Sequence, residues 1–190
     1  MINKFIRAVL LVAGVAVSGN SLAATVSFNT SAQTVALGSS FSLSVQGTAF
    51  PTIVGGGLDL SFNPSVLQIS SVTINTSVFE FYMGGGMEEG VLNNALGTLT
   101  DTAFNTFAGA TGDFTIMTIG FTAVGAGISS LNLSESSIWV FSNAVGNPIG
   151  NQIVFSDSLI TVSAVPVPAA VWLFGSGLLG LASVLRKRTL

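Results

Sequence analysis

Carboxylates are the side chains most able to do acid–base chemistry here, because the 190 residues include no His and no Cys. The eight acidic residues are Asp59, Glu80, Glu88, Glu89, Asp101, Asp113, Glu135 and Asp157. Glycoside hydrolysis needs two carboxyl groups facing each other across a substrate. Adjacent Glu88 and Glu89 point to opposite sides of a strand, whereas Asp101 and Asp113 could meet around a turn-rich segment. No Lys or Arg lies between residues 8 and 185 to assist such a pair, so we predict no catalytic residues and no enzyme activity.

Binding of a hard cation is a second possible chemistry. Asp101, Asn105 and Asp113 carry oxygen ligands of the kind that Ca²⁺ prefers, and unpaired negative charge would favour a cation. The segment lacks the ligand order of an EF-hand and its bidentate Glu. A polar hairpin loop explains the same residues without a ligand. We therefore predict no cofactor, with Ca²⁺ as the open alternative.

The charges are distributed very unevenly along the chain. The five cations are Lys4, Arg7, Arg186, Lys187 and Arg188. The eight acids all lie between them, so the middle of the chain has a formal charge of −8 and no basic partner. Neutralising nucleic-acid phosphates requires Lys or Arg, so we predict that this protein does not bind nucleic acid.

Only two aromatic side chains with a polar group lie outside the two ends of the chain, Tyr82 and Trp139. Alternation over residues 137–141 places Trp139 and Phe141 on one face of a predicted strand. We expect Trp139 to pack in the core. The alternative is an exposed surface on which a sugar ring could stack.

Residues 24–164 alternate with the period of β-strands. Strands are predicted at residues 25–28, 34–37, 41–45, 58–62, 66–69, 72–75, 78–82, 97–104, 115–124, 128–133, 138–141, 153–155 and 159–163. Gly, Asn and Pro clusters between them, including residues 55–57 and 109–112, predict turns. Most of the 14 Phe fall at inward strand positions and should form the core. The pattern predicts an all-β, two-sheet sandwich or jelly roll.

The first 23 residues have the organisation of a secretory signal peptide. Lys4 and Arg7 precede an apolar stretch at residues 8–17, and small residues follow it. We predict cleavage after Ala23, with Ala24 as the alternative position. An uncleaved anchor helix is the other interpretation, although the apolar stretch is short for a membrane span.

Residues 165–190 have the order of a second targeting segment. It begins with the extended motif Val165-Pro166-Val167-Pro168-Ala169. Residues 169–185 carry no charge and, at ~1.5 Å per residue, would span roughly 25 Å as a helix. The cluster Arg186-Lys187-Arg188 follows, and positive-inside logic places it in the cytoplasm and the β domain outside.

This order of Pro motif, apolar helix and basic cluster resembles the PEP-CTERM class of sorting signals, in its VPxPA variant. Val167 stands where the named type has Glu. The resemblance implies recognition by an exosortase, a membrane protease that cuts near the Pro motif. It also implies a Gram-negative bacterium that makes exopolysaccharide. A plain tail anchor is the alternative interpretation.

The β domain itself resembles the cohesin family. Residues 56–72 match a glycine-led alternating strand, an Asn-Pro turn and a second short strand. Residues 35–45 and 114–133 match the strands and glycine turn on either side of this region. The resemblance implies a nine-stranded jelly roll that serves attachment to protein or glycan, without catalysis, and it assigns no binding residues.

Together these patterns predict three parts: a signal peptide at 1–23, a cohesin-like domain at 24–164 and a sorting signal at 165–190. We expect export across the inner membrane, transient anchoring there, and release to the cell surface or matrix. The expected role is an adhesion or scaffold module that binds exopolysaccharide or a surface protein. The alternative is a carbohydrate-binding module for the cell's own exopolysaccharide.

Overall fold

A computed structural model describes residues 23–80, 88–164, 174 and 176–178. The signal segment, the Val165–Ala169 motif, the basic cluster at 186–188 and Tyr82 lie outside the described residues. In the described part of the chain, none of the helical segments has the length and apolar character needed to cross a membrane.

The described chain is almost entirely β-structure. Its ten strands are β1 (Ala24–Phe28), β2 (Ala32–Ala36), β3 (Ser40–Ser61), β4 (Leu67–Ile74), β5 (Val91–Asn93), β6 (Thr98–Ala123), β7 (Gly127–Glu135), β8 (Ser142–Asn143), β9 (Ile153–Ser156) and β10 (Ser158–Ser163). One 3₁₀ turn, Gly150–Gln152, precedes β9. The predicted all-β class is therefore confirmed.

Strand pairing divides the domain into two layers. The first layer has the order β9–β1–β3–β6–β4 and uses the first half of β3 with the second half of β6. The second layer has the order β2–β10–β7–β3–β6–β5 and uses the opposite halves of the two long strands. Most pairs are antiparallel, but β1–β9 and β2–β10 are parallel. The result is the two-layer sandwich that the alternation predicted.

Strands β3 and β6 run through both layers and cross between them at one place. We call this place the corner; it comprises residues 47–55 of β3 and 104–114 of β6. The register between the two strands shifts repeatedly here, as expected where strands bend to change sheets. Ala49 has a φ of 55°, and its amide donates to Asp113 Oδ1 at 2.8 Å. This hydrogen bond stabilises the unusual backbone at the corner.

Aromatic rings fill the space between the layers. Phe28, Phe50, Phe62, Phe79, Phe104, Phe121 and Phe141 are buried. The centroid of Phe104 lies 4.7 Å from that of Phe79 and 5.5 Å from that of Phe141, in tilted and edge-on contacts that aromatic pairs favour. Phe41, Phe114 and Phe155 are partly buried against this cluster, so the expectation that most Phe residues form the core is confirmed. Among the described residues, Phe107 and Phe174 are exposed.

Two predicted turns lie inside strands. Residues 55–57 belong to β3, and residues 109–112 belong to β6. At Gly57 a Cβ atom would collide with the backbone oxygen of Thr102 and lie 2.6 Å from Trp139 Cβ. The glycines at 55–57 therefore allow close packing against neighbouring chain segments, whereas Gly112 has open space around it. The prediction of turns was wrong at both places. As a result, pairs of predicted strands merge into single long ones.

Two other predicted strands are wrong. Residues 78–80 form a turn in which the Val78 and Phe79 amides donate to Asn75 O. Residues 138–141 form an irregular segment held by side chains. Ser136 Oγ accepts from the amides of Ile138 and Trp139, each at 3.2 Å. These local bonds replace strand pairing.

Candidate functional site

The outward face of the second layer is an open surface of short polar side chains. Alternation sends Leu58 and Leu60 of β3 into the core and Asp59 and Ser61 outward. Cross-strand pairing then places further outward side chains beside them. We call this surface the polar platform; it comprises Asp59, Ser61, Val91, Asn93, Thr98, Thr100, Ile128, Ser130, Asn132 and Ser134.

One row of paired residues crosses the polar platform. Asn132 pairs with Ser61, and Ser61 pairs with Thr98 on its other side. Asn132 Nδ2 donates to Ser61 Oγ at 3.2 Å, and Ser130 Oγ donates to Asn132 Oδ1 at 2.8 Å. These bonds orient the side chains of Ser61 and Asn132, and both residues are exposed to solvent. Such a surface can form many directional hydrogen bonds with a partner.

Aliphatic side chains stand at two margins of the polar platform. Val91, on the outermost strand β5, is 65% exposed, and Ile128, at the start of β7, is 58% exposed. The inward residues beneath the platform, including Leu99, Leu131 and Leu133, are buried. The polar platform therefore covers a packed core.

A network of polar groups lies at one end of the polar platform. Asp59 Oδ1 accepts from the amide of Asp101 at 2.8 Å, and Asp101 Oδ1 accepts from Ser136 Oγ at 3.1 Å. Asp101 has a φ of 58°, a conformation that Asp tolerates better than most residues. Both carboxylates therefore position backbone and hydroxyl groups. This role is structural.

The three candidate metal ligands do not converge. Asp101 and Asp113 lie on one continuous strand, β6, rather than on two arms of a hairpin, so the predicted hairpin is wrong. Twelve residues of extended chain correspond to roughly 40 Å of contour. Asp101 belongs to the second layer, whereas Asp113 lies at the far end of the corner. Asn105 lies between them at the corner. Among the described residues, no group of three or more acids is placed to hold a metal ion.

Trp139 does not pack in the core, contrary to prediction. Its side chain is 40% exposed, whereas Phe141 is fully buried. The Ser136 hydroxyl fixes the backbone at 138–139, so strict alternation no longer applies. Exposed Ile138 and Val140 flank Trp139. Glu88 makes an isolated bridge with Ala103, and its side chain is exposed.

A small pocket lies at the corner, where β3 and β6 change layers. Val54, Asn105, Thr106 and Phe107 line this space of about 360 Å³, which we call the corner pocket. Phe107 is 64% exposed, whereas Thr106 is buried. The sequence indicates Asn105 only as a possible metal ligand, and no local pattern in it predicts the pocket.

Comparison with known proteins shows that this chain is similar to solved structures in its fold alone. No family profile matches the chain, and no curated protein sequence matches it significantly. Solved structures do match. The third cohesin ScaC of Acetivibrio cellulolyticus, in complex with the ScaB dockerin, aligns at a TM-score of 0.55 and 20% identity, over 73% of this chain and 98% of that chain. The fold is cohesin-like.

Two further structures support this assignment of the fold. A non-cellulosomal cohesin from the archaeon Archaeoglobus fulgidus aligns at a TM-score of 0.55 and 15% identity, over 75% of this chain and 92% of that chain. CaCohA2 from Clostridium acetobutylicum aligns at a TM-score of 0.55 and 16% identity, over 73% of this chain and 91% of that chain. The cohesin-like fold expected from residues 35–45, 56–72 and 114–133 is thus confirmed as a fold.

Proposed function

We propose that this protein is a non-catalytic binding module that docks a protein partner on the polar platform. The observation that carries this proposal is the platform itself, a four-stranded face with exposed hydrogen-bonding groups above a packed core. Hydrogen-bonding groups spread over four strands suit a broad partner surface better than a small substrate. The known cohesin complex with a dockerin supports a protein partner by analogy of fold.

The side chains of the polar platform favour specificity over tight apolar association. Hydroxyl and amide groups give a partner directional contacts, and Val91 and Ile128 offer apolar contacts at the margins. Asp59 is the acidic residue of the platform. A partner with complementary donors, including basic side chains, would therefore fit this face.

The platform hypothesis is tested by placing a bulky cation at its centre. Asn132→Arg and Ser61→Arg put a long side chain on exposed positions of the central strands, so the fold should survive and partner capture should fall at least about tenfold. Gln68→Arg, on the exposed side of β4 in the first layer, is the matched control. Cross-linking of the protein on cells, followed by mass spectrometry, identifies the partner. Retention of that partner is then measured on each immobilised variant. Equal retention by Asn132→Arg and Gln68→Arg would refute this docking face.

We further propose that the protein is exported and sorted at the cell envelope of a Gram-negative bacterium. The signal peptide at 1–23, the Pro motif at 165–169 and the basic cluster at 186–188 support this pathway. Ala24 begins β1 and is buried, and Ser163 ends β10. Cleavage after Ala23 and near Pro166 would therefore leave every strand intact. An exosortase-type protease and, transiently, the inner membrane would be the partners of the tail.

Intact-mass measurement tests the sorting proposal independently of partner binding. The protein recovered from the cell surface should lack both the signal peptide and the tail. Pro166→Ala combined with Pro168→Ala should leave the tail attached and retain the protein in the membrane fraction, while the matched change Pro148→Ala should be processed normally. A full-length tail on the surface-exposed protein would contradict the proposal.

A further inference from the structure

We propose that the free edge of β2 pairs with β2 of a second copy of this chain. β2 is the last strand of the second layer, and no described strand pairs with its other side. Its five residues include no charge, no Pro and no Gly. An edge without such residues readily accepts another strand. β2 shares no residue with the polar platform, so the two proposals can fail separately.

Two other edge strands carry protection that β2 lacks. In the first layer, the side chain of Asn94 bonds to both the amide and the carbonyl of Ile69 in β4. In the second layer, the exposed acids Glu88 and Glu89 precede β5. A capping side chain occupies the backbone groups of an edge, and charge discourages the addition of a strand. Strand addition is therefore favoured at β2.

The hydrogen bonds to β10 fix which residues of β2 face the free edge. The Leu159 amide donates to Ser31 O at 3.0 Å. In a parallel ladder, every second residue directs both its amide and its carbonyl to the same neighbour. The register with β10 continues without a shift, so residues 31, 33, 35 and 37 face β10. The residues that direct their backbone groups to the free edge are therefore Ala32, Thr34 and Ala36.

Local hydrogen bonds already occupy two of the outward carbonyls. Thr30 Oγ1 donates to Ala32 O at 2.9 Å. The hydroxyl and the amide of Ser39 donate to Ala36 O at 2.6 Å and 3.1 Å. The amide and carbonyl of Thr34 and the amides of Ala32 and Ala36 have no partner in the described part of the chain. Thr34 thus lies at the centre of an open backbone edge.

This pattern of donors and acceptors is complementary to a two-fold rotated copy of itself. In an antiparallel pair centred on Thr34, each Thr34 amide donates to the Thr34 carbonyl of the second copy. Each Ala36 amide then meets Ala32 O of the second copy, which has a second lone pair besides the one that Thr30 uses. The pairing supplies about four backbone hydrogen bonds. A two-fold interface requires this kind of self-complementarity.

Side-chain size and charge also favour a second copy. The side chains of Ala32, Thr34 and Ala36 are small and exposed. Residues 24–164 carry a formal charge of −8, so two copies approach most easily where charge is absent, and neither β2 nor β10 contains a charged residue. Asp157 precedes β10 at one end. The two-fold arrangement places the two copies of Asp157 at opposite ends of the joined strands.

The pairing joins the second layers of both copies into one continuous sheet. The two-fold axis is perpendicular to that sheet, so the two polar platforms face the same side. Two linked platforms bind a surface that presents repeated partners with avidity. This consequence rests on the proposed function, whereas the pairing of β2 does not.

Cysteine cross-linking tests the pairing in cells that produce the full-length protein, which has no native Cys. A short bismaleimide should link Thr34→Cys to itself, and Ala32→Cys to coexpressed Ala36→Cys. Ala32→Cys alone should give at least about tenfold less dimer, because its two copies lie four residues apart along the strands. Thr73→Cys, exposed on β4 at an edge of the first layer, is the matched control. Equal dimer yields from Thr34→Cys and Thr73→Cys would overturn the proposal.

Charged variants distinguish a second copy from a different strand-donating partner. Thr34→Glu and Thr34→Lys each place like charges opposite each other, so co-capture of two differently tagged copies should fall at least about tenfold. Coexpression of Thr34→Glu with Thr34→Lys should restore co-capture, and Thr73→Glu should behave as the wild type. Unchanged co-capture with like charges, or loss without recovery in the mixed pair, would refute pairing between two copies of β2.

Discussion

At the scale of single residues, Gly97 shows how a close backbone approach fixes the choice of amino acid. Its φ is +71°, and a Cβ atom would collide with Phe62 O and lie 2.7 Å from Pro64 Cδ. Gly112 has a similar φ of +78° but open space around it. The two positions thus share the same backbone strain and differ only in crowding.

Alanine at these two glycines should therefore have unequal effects. Gly112→Ala should lower the free energy of unfolding by about 1 kcal/mol, the cost of a left-handed conformation. Gly97→Ala should lower it by about 3 kcal/mol or more, because the chain around Phe62 must also shift. Urea denaturation measures both values. Equal losses of unfolding free energy in the two variants would show that the structure relieves the crowding at Gly97 without a cost in stability.

Ser136 is a second residue whose role is set by its contacts. It is 1% exposed, and its hydroxyl serves Asp101, Ile138 and Trp139. Ser136→Ala should reduce the free energy of unfolding by about 2 kcal/mol, because the partly buried amides of Ile138 and Trp139 lose their acceptor and Asp101 loses a donor. Ser134→Ala, on the exposed side of the same chain segment, should change it by less than about 0.5 kcal/mol. Thermal and urea unfolding of the two variants compare them directly.

At the scale of elements, β4 shows how a side chain can extend a sheet. The amide of Ile69 donates to Asn94 Oδ1 at 2.8 Å, and Asn94 Nδ2 donates to Ile69 O at 2.9 Å. The side-chain amide thus pairs with β4 as a neighbouring strand would. The register of β4 against β6 shifts just after Ile69. Asn94 therefore stabilises the strand at its irregular point.

Substitution of Asn94 should loosen β4 locally. Asn94→Ala should lower the free energy of unfolding by about 2 kcal/mol. Asn94→Asp should lower it further, because a carboxylate would then face the carbonyl of Ile69. Hydrogen exchange of the Ile69 amide should accelerate in both variants. Asn93→Ala, which removes the acceptor for Ala95 and Leu96 in the adjacent turn, should leave that amide protected. An unchanged exchange rate at Ile69 in Asn94→Ala would contradict this interpretation.

The sequence predicted the strands well where alternation is strict and failed where glycine lies within a strand. Residues 41–45 and 58–62 were found, but their union in β3 was not, because residues 55–57 resemble a turn. Close packing of other segments on these glycines cannot be read from local pattern. The polar platform was missed for a related reason. Outward Ser61, Thr98 and Asn132 come from distant segments, and only the strand order brings them together.

At the scale of the whole molecule, the absence of cations from the middle of the chain has a direct biochemical effect. Trypsin cleaves after Lys and Arg, and the full-length chain has none between Arg7 and Arg186. Digestion of the fully denatured protein should therefore leave one large fragment covering residues 8–186. A Glu-specific protease under the same conditions should cut it at sites such as Glu80 and Glu135. Mass spectrometry measures both digests, and any internal tryptic fragment would contradict the prediction.

The parallel pairing of β1 with β9 and of β2 with β10 determines how the domain bears tension. Each pair joins a strand near the beginning of the domain to one near its end, and both strands point the same way. Opposite pulls on the two ends would therefore slide the strands lengthwise past each other. The hydrogen bonds from Ala32–Ala36 to Leu159–Ser163 would then be loaded simultaneously in shear, instead of breaking one after another from one end of the strand pair. A module built in this way resists mechanical unfolding by a force applied to its two chain ends.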